Sequence, residues 1–238
     1  MLKAVLFDLD GTLLPMNEEE FIKLYFGALC KKVAPFGYDS EKFISVIWTG
    51  TKAMAKNDGS KTNEEVFWES FANHYGEQKL NDKKYFDDFY LNEFKCVKAC
   101  TKDNPYLQDI MALIKSLNLK VILATNPLFP KEGTYTRMGF LGLKPEDFEY
   151  VSTYENSHFA KPNPQFLVEI LEKHNLKPDE VIYFGNSESE DLIPATSLNI
   201  ETYLVGDFIT HAKENSHNPP HYPLSEITSL IQKAYDNK

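Results

Sequence analysis

Two hydrophobic periods alternate along this 238-residue chain. Ala4 to Phe7 are apolar without interruption, the pattern of a strand buried on both faces of a parallel sheet. After Pro15 the apolar positions fall at helical spacing, with Phe21, Leu24, Tyr25, Ala28 and Leu29 on one face. Phe43, Ile44 and Ile47 mark a second helix, and residues 57–60 (NDGS) read as a turn. Thr62 and Glu65 form a capping box for a third helix, whose stripe is Phe67, Phe71 and Tyr75. Phe86, Phe89, Tyr90, Phe94 and Val97 mark a fourth. Residues 15–100 therefore read as an all-helical unit inserted after the first strand.

Strands and helices then take turns. Leu107, Ile110, Met111, Ile114 and Leu117 predict a helix, and LKVILATN (119–126) a buried strand with a polar end. NPQFLVEILEKHN reads as a helix, EVIYFGNSESED as a strand running into an acidic loop, and IETYLVGD as a last strand. The tail HAKENSHNPPHYP reads as a polar loop before a short helix from about Leu224. This order predicts an α/β fold with a doubly wound parallel sheet. The core domain would comprise residues 1–14 and 101–238, and the helical unit residues 15–100. No internal repeat or low-complexity tract interrupts it.

The ends of the predicted strands carry the chemistry. Asp8 and Asp10 flank Leu9, so in an extended chain both carboxylates point the same way, and Asp10-Gly11 signals a turn. Ligands of open α/β sheets bind at the carboxyl ends of strands. Two like charges this close repel unless a cation lies between them, so the pattern is that of a Mg²⁺ site or of a solvated acidic turn. Thr125 and Asn126 follow VILA, Lys161 precedes a helix in HFAKPNPQF, and residues 185–191 form an acidic loop. Singly, these are a turn hydroxyl, a solvated lysine and a polar loop. Together they equip phosphoryl transfer. One carboxylate serves as nucleophile and the other as proton donor to the leaving alkoxide. Lys161 and Mg²⁺ neutralise phosphate oxygens, and Thr125 with backbone amides binds the remaining one.

In this order the motifs resemble those of the haloacid dehalogenase (HAD) superfamily. DLDGT resembles its first motif, ATN its second, KPNPQF its third and GNSESED its fourth. The resemblance covers nearly the whole core and implies a Rossmann-like fold, with the helical insert as a C1-type cap. It implies that Asp8 is the nucleophile, Asp10 the general acid/base, Thr125 the phosphate binder and Lys161 the charge clamp. It also implies Mg²⁺ ligation by Asp8, the backbone carbonyl of Asp10 and the first acid of motif four. Asp10 favours a phosphatase over a dehalogenase, since a carbon–halogen bond leaves no alkoxide to protonate. A phosphomutase uses the same dyad.

Motif four departs from the family, with Asn186 where Asp is usual. An amide oxygen binds a hard cation but brings no charge, so weaker Mg²⁺ affinity is expected. Asp191 matches the downstream acid, and the expectation is that Asn186 ligates the metal with Asp191 behind it. The substitution also suits a weak enzyme or a lapsed phosphate-ligand binding protein. A phospho-receiver domain would use similar groups, but the insert and the DLDGT spacing argue against it.

The insert is rich in aromatics, namely Phe21, Tyr25, Phe26, Trp48, Phe67, Trp68, Phe71 and Tyr75, and most are expected in a helical-bundle core. Residues 48–52 (WTGTK) read as a pocket loop or a helix interruption, not a P-loop, since the GK[ST] order is absent. A net charge of −10 disfavours nucleic acid and anionic membranes as partners. Arg137 is the only arginine, so phosphate recognition is expected to rest on lysine and backbone amides. Three cysteines (Cys30, Cys96, Cys100) and no signal peptide fit a reducing cytoplasm, and Cys96 and Cys100 lack a nearby His for a metal site. No stretch is long and apolar enough for a membrane span. The expectation is a cytoplasmic monomer or homodimer acting on a small phosphorylated substrate.

Overall fold

A computed structural model describes residues 1–213 and 218–237. In chain order the elements are β1 (Ala4–Phe7), α1 (Glu18–Val33), α2 (Ser40–Ala55), α3 (Asn63–Tyr75), α4 (Lys83–Leu91), α5 (Leu107–Ser116), β2 (Lys120–Leu123) and α6 (Lys131–Phe140). They continue with β3 (Tyr150–Val151), α7 (Gln165–Lys173), β4 (Val181–Gly185), α8 (Ile193–Ser197), β5 (Glu201–Val205), β6 (His221–Tyr222) and α9 (Ile227–Asn237). Among the described residues the six strands are parallel, in the order β3-β2-β1-β4-β5-β6. The α/β doubly wound sheet expected from the pattern is present.

Alternation along β1 explains why both faces of the sheet are covered. Val5 and Phe7 join a cluster with Ile110 and Ile114 of α5 and Ile231 of α9. Ala4 and Leu6 face the other way, toward Phe166, Leu167 and Ile170 of α7. Helices α1 to α4 bury a third cluster, dominated by aromatic rings, that also takes in Tyr154. The chain enters and leaves this helical region side by side. Met16 bridges Thr101, and the Lys102 amide donates to the Pro15 carbonyl at 2.8 Å. The predicted capping box is made, with the Thr62 side chain accepting from the Glu65 amide and Glu65 accepting from the Thr62 amide.

Three local expectations need correction. The fourth helical stripe is two pieces, α4 and a 3₁₀ segment over Glu93–Cys100, because the chain turns at Asn92. The tail read as a loop contains β6, which pairs with β5 (Leu204 with His221, Val205 with Tyr222); residues 214–217 of that tail lie outside the described residues. Residues 48–52 are an uninterrupted part of α2. Gly50 there lies under the Phe67 ring, where an added Cβ would come within 2.6 Å of Cδ2. Among the described residues no helix is long and apolar enough to cross a membrane, and the three cysteines are free.

Candidate active site

The sheet order reverses around β1, whose neighbours β2 and β4 lead away in opposite directions. A crevice at such a point collects the residues that follow the strands. Phe7 pairs with Leu123 on one side and Phe184 on the other, so Asp8 emerges beside the starts of both neighbouring loops. The Asp8 amide donates to the Phe184 carbonyl at 2.8 Å, which holds the register one residue past the strand. Gly11 then turns the chain at φ +83, and an added Cβ would meet Asn186 Nδ2 at 2.3 Å. The turn needs glycine both for that conformation and for the space Asn186 occupies.

Asp8 and Lys161 form the centre of the site. Lys161 Nζ donates to Asp8 Oδ1 at 2.7 Å and to Asp191 Oδ1 at 2.6 Å, and all three side chains are buried. Burial alone would discharge Lys161, yet Asp191 and Asp8 hold its ammonium well above the ordinary lysine value. Burial pushes the Asp8 carboxyl up to about 7; Lys161 opposes the rise, while Asp191 and Asp10 add to it. Asp191 is saturated. Its Oδ1 also accepts from the Tyr183 hydroxyl at 2.6 Å, and its Oδ2 from the Asn186 and Ser187 amides at 3.0 and 2.9 Å. Asn126 sits beside this group, its Oδ1 accepting from the Lys161 amide at 3.2 Å and its Nδ2 donating to Glu190 at 3.1 Å. Thr125 is buried, and its carbonyl accepts from Ser152 Oγ at 2.6 Å.

Asp10 has a different partner. Arg137 of α6 is fully buried, and its Nε lies 3.3 Å from Asp10 Oδ1. Neither that oxygen nor any of the three guanidinium nitrogens has hydrogen-bond geometry to a partner. The guanidinium instead stacks among aromatic rings, 4.4 Å from the Phe129 centroid and 5.8 Å from those of Phe21 and Phe94. Burial raises the Asp10 carboxyl above its ordinary value, against the pull of Arg137 and Lys161. The two carboxylates thus do not depend on one cation between them, because each is paired with its own side-chain cation.

The donor set suits a hard cation. Thr12 Oγ lies 3.3 Å from Asp8 Oδ2 and 3.4 Å from Asn186 Oδ1, but a hydroxyl has one hydrogen and can serve only one of them at a time. Two acceptor oxygens therefore converge with a shortage of donors. Asn186 Nδ2 donates to the Phe208 carbonyl at 2.7 Å, which aims the amide oxygen at Thr12 and Asp8. Among the described residues no three His, Cys, Asp or Glu side chains surround one point. A cation here would draw on one carboxylate, an amide oxygen, backbone carbonyl and water, a set that Mg²⁺ accepts.

A cavity of about 1010 Å³ joins these groups to the helical region. Asp8, Asp10, Thr125, Asn126, Lys161, Asn186 and Asp191, the residues singled out from the sequence, all line it. Six of the eight aromatics named in the insert line it as well, all but Phe71 and Tyr75. The expectation that most of them fill a bundle core holds, with Phe71 also buried in the helical cluster and Trp68 and Tyr75 packed against it. Phe21, Tyr25, Phe26 and Phe67 are buried in the helical cluster and also border the cavity. Trp48 and Thr51 of the reassigned WTGTK stretch face it from α2. The sequence offered no signal for Arg137, which lies on a helix with weak hydrophobic periodicity, or for Tyr183, whose hydroxyl reaches Asp191 from inside an apolar strand.

A family model described as haloacid dehalogenase-like hydrolase matches residues 2–198. A glyceraldehyde 3-phosphate phosphatase of Methanocaldococcus jannaschii is 26% identical over 207 residues, covering 86% of this chain and 85% of that protein. A phosphorylated carbohydrates phosphatase of Thermotoga maritima is 24% identical over 193 residues, covering 79% and 78%. The crystal structure of a HAD phosphatase from Thermococcus onnurineus superimposes with a TM-score of 0.57 at 20% identity, covering 97% of this chain and 98% of that one.

Proposed function

The chain belongs to the haloacid dehalogenase-like hydrolases, and from that premise we propose that it is a Mg²⁺-dependent phosphatase of a small phosphorylated metabolite, acting through a phosphoaspartyl intermediate on Asp8. The observation that carries this reading is the pair of carboxylates, Asp8 buried and Asp10 partly buried, each with its own cation and opening on one cavity. Asp8 is a nucleophile whose spare oxygen faces Thr12 while Lys161 holds the other. Attack on phosphorus forms the Asp8–phosphate bond and breaks the bond to the leaving oxygen, which takes a proton from Asp10. Asp10 suits that duty, since burial favours its protonated form. Asp10 then removes a proton from the water that hydrolyses the intermediate. Lys161, fixed between Asp8 and Asp191, meets the charge of the transferring group without reorganising. Thr125 and Asn126 border the phosphate space.

Asp8, the Asp10 carbonyl and Asn186 would hold Mg²⁺, with Asp191 behind them, occupied by its four donors. When bound, the ion would neutralise phosphate oxygens and keep Asp8 ionised. Residues 15–100 act in this reading as the cap that covers the site, and the three free thiols suit a cytoplasmic setting.

The test is release of inorganic phosphate from a panel of sugar, nucleotide and aryl phosphates, with and without Mg²⁺. Asp8→Asn should lower turnover by at least about 10⁴-fold, as for loss of a nucleophile. A phosphomutase would isomerise its substrate without net phosphate release. No release from any compound by folded protein at saturating Mg²⁺ would overturn the reading.

A further inference from the structure

The two ends of the cavity have opposite character. At the strand ends it is lined by ionised groups. On the side formed by α1 to α4 it is lined by rings, including Phe26, Trp48, Phe67, Trp68 and Phe86, with Ile22 and Ile47 between them. From the rings and the charges on this wall we infer that the leaving group of the substrate is apolar and ring-bearing, and carries no second phosphate or carboxylate; this rests on the phosphatase reading above.

Several polar atoms of the helical wall already have partners within the protein. The Tyr25 and Tyr90 hydroxyls bond each other at 2.8 Å, and the Tyr154 hydroxyl accepts from Trp68 Nε1 at 3.4 Å. Thr51 Oγ donates to the Ile47 carbonyl of its own helix at 3.0 Å. Asn17 Oδ1 caps α1, accepting from the Glu20 amide at 3.0 Å, and Asp87 is bound to Lys83 at 2.9 Å. A polyhydroxylated leaving group would have to break such bonds to make its own, whereas a ring needs only contact. The charges on the same wall point the same way. Glu18, Glu19 and Asp87 border the cavity from α1 and α4, and no lysine, arginine or histidine among the described residues borders it from that side. An anionic leaving group seated against this wall would meet Glu18 and Glu19, while Asp87 is already paired with Lys83 and the other basic side chains that line the cavity besides Lys161, namely His211 and Lys213, come from the segment after β5. The volume of about 1010 Å³ leaves ample room for a ring beyond the phosphate. This wall differs from what the names of the relatives would suggest, since glyceraldehyde and carbohydrates are polar leaving groups.

The experiment compares three primary alkyl phosphates, so that the leaving alcohols are chemically alike: phenylpropyl phosphate, glycerol phosphate and phosphoglycerate. Phosphate release is followed with saturating Mg²⁺. The expected result is a kcat/KM for phenylpropyl phosphate at least about tenfold above glycerol phosphate, the scale on which apolar pockets discriminate. Phosphoglycerate should be slowest. Trp48→Lys, at an exposed position whose ring lies tilted against Phe26 at 5.6 Å, should narrow the gap between phenylpropyl phosphate and phosphoglycerate by about tenfold. If glycerol phosphate or phosphoglycerate turns over as fast as phenylpropyl phosphate, or if Trp48→Lys leaves the ratio unchanged, the inference fails while the phosphatase reading stands. Release from none of the three, nor from the wider panel above, overturns both.

Discussion

At the strand ends of the cavity, Asp8, Lys161, Asp191 and Tyr183 exchange hydrogen bonds of 2.6 to 2.7 Å. A short distance away, Arg137 and Asp10 approach each other with no hydrogen bond between them, and the guanidinium spends its charge on ring faces. Both are ion pairs at one site, the first buried and the second with Arg137 buried and Asp10 partly exposed. The first is a closed network in which every oxygen of Asp191 has two donors. The second is open, with Asp10 Oδ1 near a cation but without a hydrogen bond. Buried polar groups are normally satisfied, and exceptions concentrate where a group must change partners. The difference supports the proposed division of labour, in which Asp10 is the carboxylate that moves protons. Asp8 and Asp191 are held still, while Asp10 is free to bind a leaving oxygen or a water.

The largest effect should come from breaking the open pair. Arg137→Met keeps apolar bulk among the rings but leaves the partly buried Asp10 without the cation beside it. The expected loss is about 3 kcal/mol of unfolding free energy by denaturant titration, in the range for a buried pair stripped of one member. Adding Asp10→Asn to Arg137→Met should restore at least about 1 kcal/mol, a coupling that an independent pair of sites would lack. Additive losses would mean that Arg137 is held by the rings alone, and the contrast between the two pairs would collapse.

The closed pair should show itself in pH dependence. Asp8 titrates at about 7 in the folded chain and at 3.8 in the unfolded one. The folded form therefore binds this proton more tightly. Its stabilising contribution is complete below pH 3.8 and is lost as pH rises toward 7. Across that window, metal-free wild-type protein should lose stability relative to Asp8→Asn by up to about 1.4 kcal/mol per pH unit. Mg²⁺ added at pH 7 should raise the thermal midpoint of the wild type and leave that of Asp8→Asn nearly unmoved. Parallel pH curves for the two proteins would show that Lys161 alone keeps Asp8 ionised.

How much of this could be read from the chain follows the same division. Asp8, Asp10, Thr125 and Asp191 follow strands whose apolar runs are local, and Lys161 precedes the clearly periodic α7, so a linear pattern reveals both elements and site. Arg137 could be counted but not placed. Its helix, KEGTYTRMGF, contains two glycines and no clean apolar stripe, and its partners Phe21, Phe94, Phe129 and Asp10 are remote in sequence. The two-residue strands β3 and β6 are too short for any period to appear and exist only through their pairing with β2 and β5. The insert's aromatics gave a correct helical period, but a period says only that a face is apolar. Whether that face meets another helix or an open cavity is decided by how four helices pack.

The smallest effect concerns Asn186, which stands between the closed pair and the proposed metal. Asn186→Asp would place a second carboxylate beside Asp8 Oδ2 and Thr12, where the amide oxygen now lies. The added charge should tighten Mg²⁺ binding by about tenfold, read by titration of the metal against the thermal midpoint or by calorimetry. The same change has a cost in the metal-free protein. Asn186 Nδ2 donates to the Phe208 carbonyl at 2.7 Å, and a carboxylate oxygen there would face that carbonyl without a hydrogen. Stability without metal should fall by about 1 kcal/mol, the loss of one partly buried hydrogen bond. The two effects have opposite signs, so they separate the roles of the residue. Tighter binding with lower metal-free stability means that the amide gives up affinity for a fixed orientation. A stability loss with unchanged Mg²⁺ binding would take Asn186 out of the ligand set and leave the metal to Asp8 and the Asp10 carbonyl.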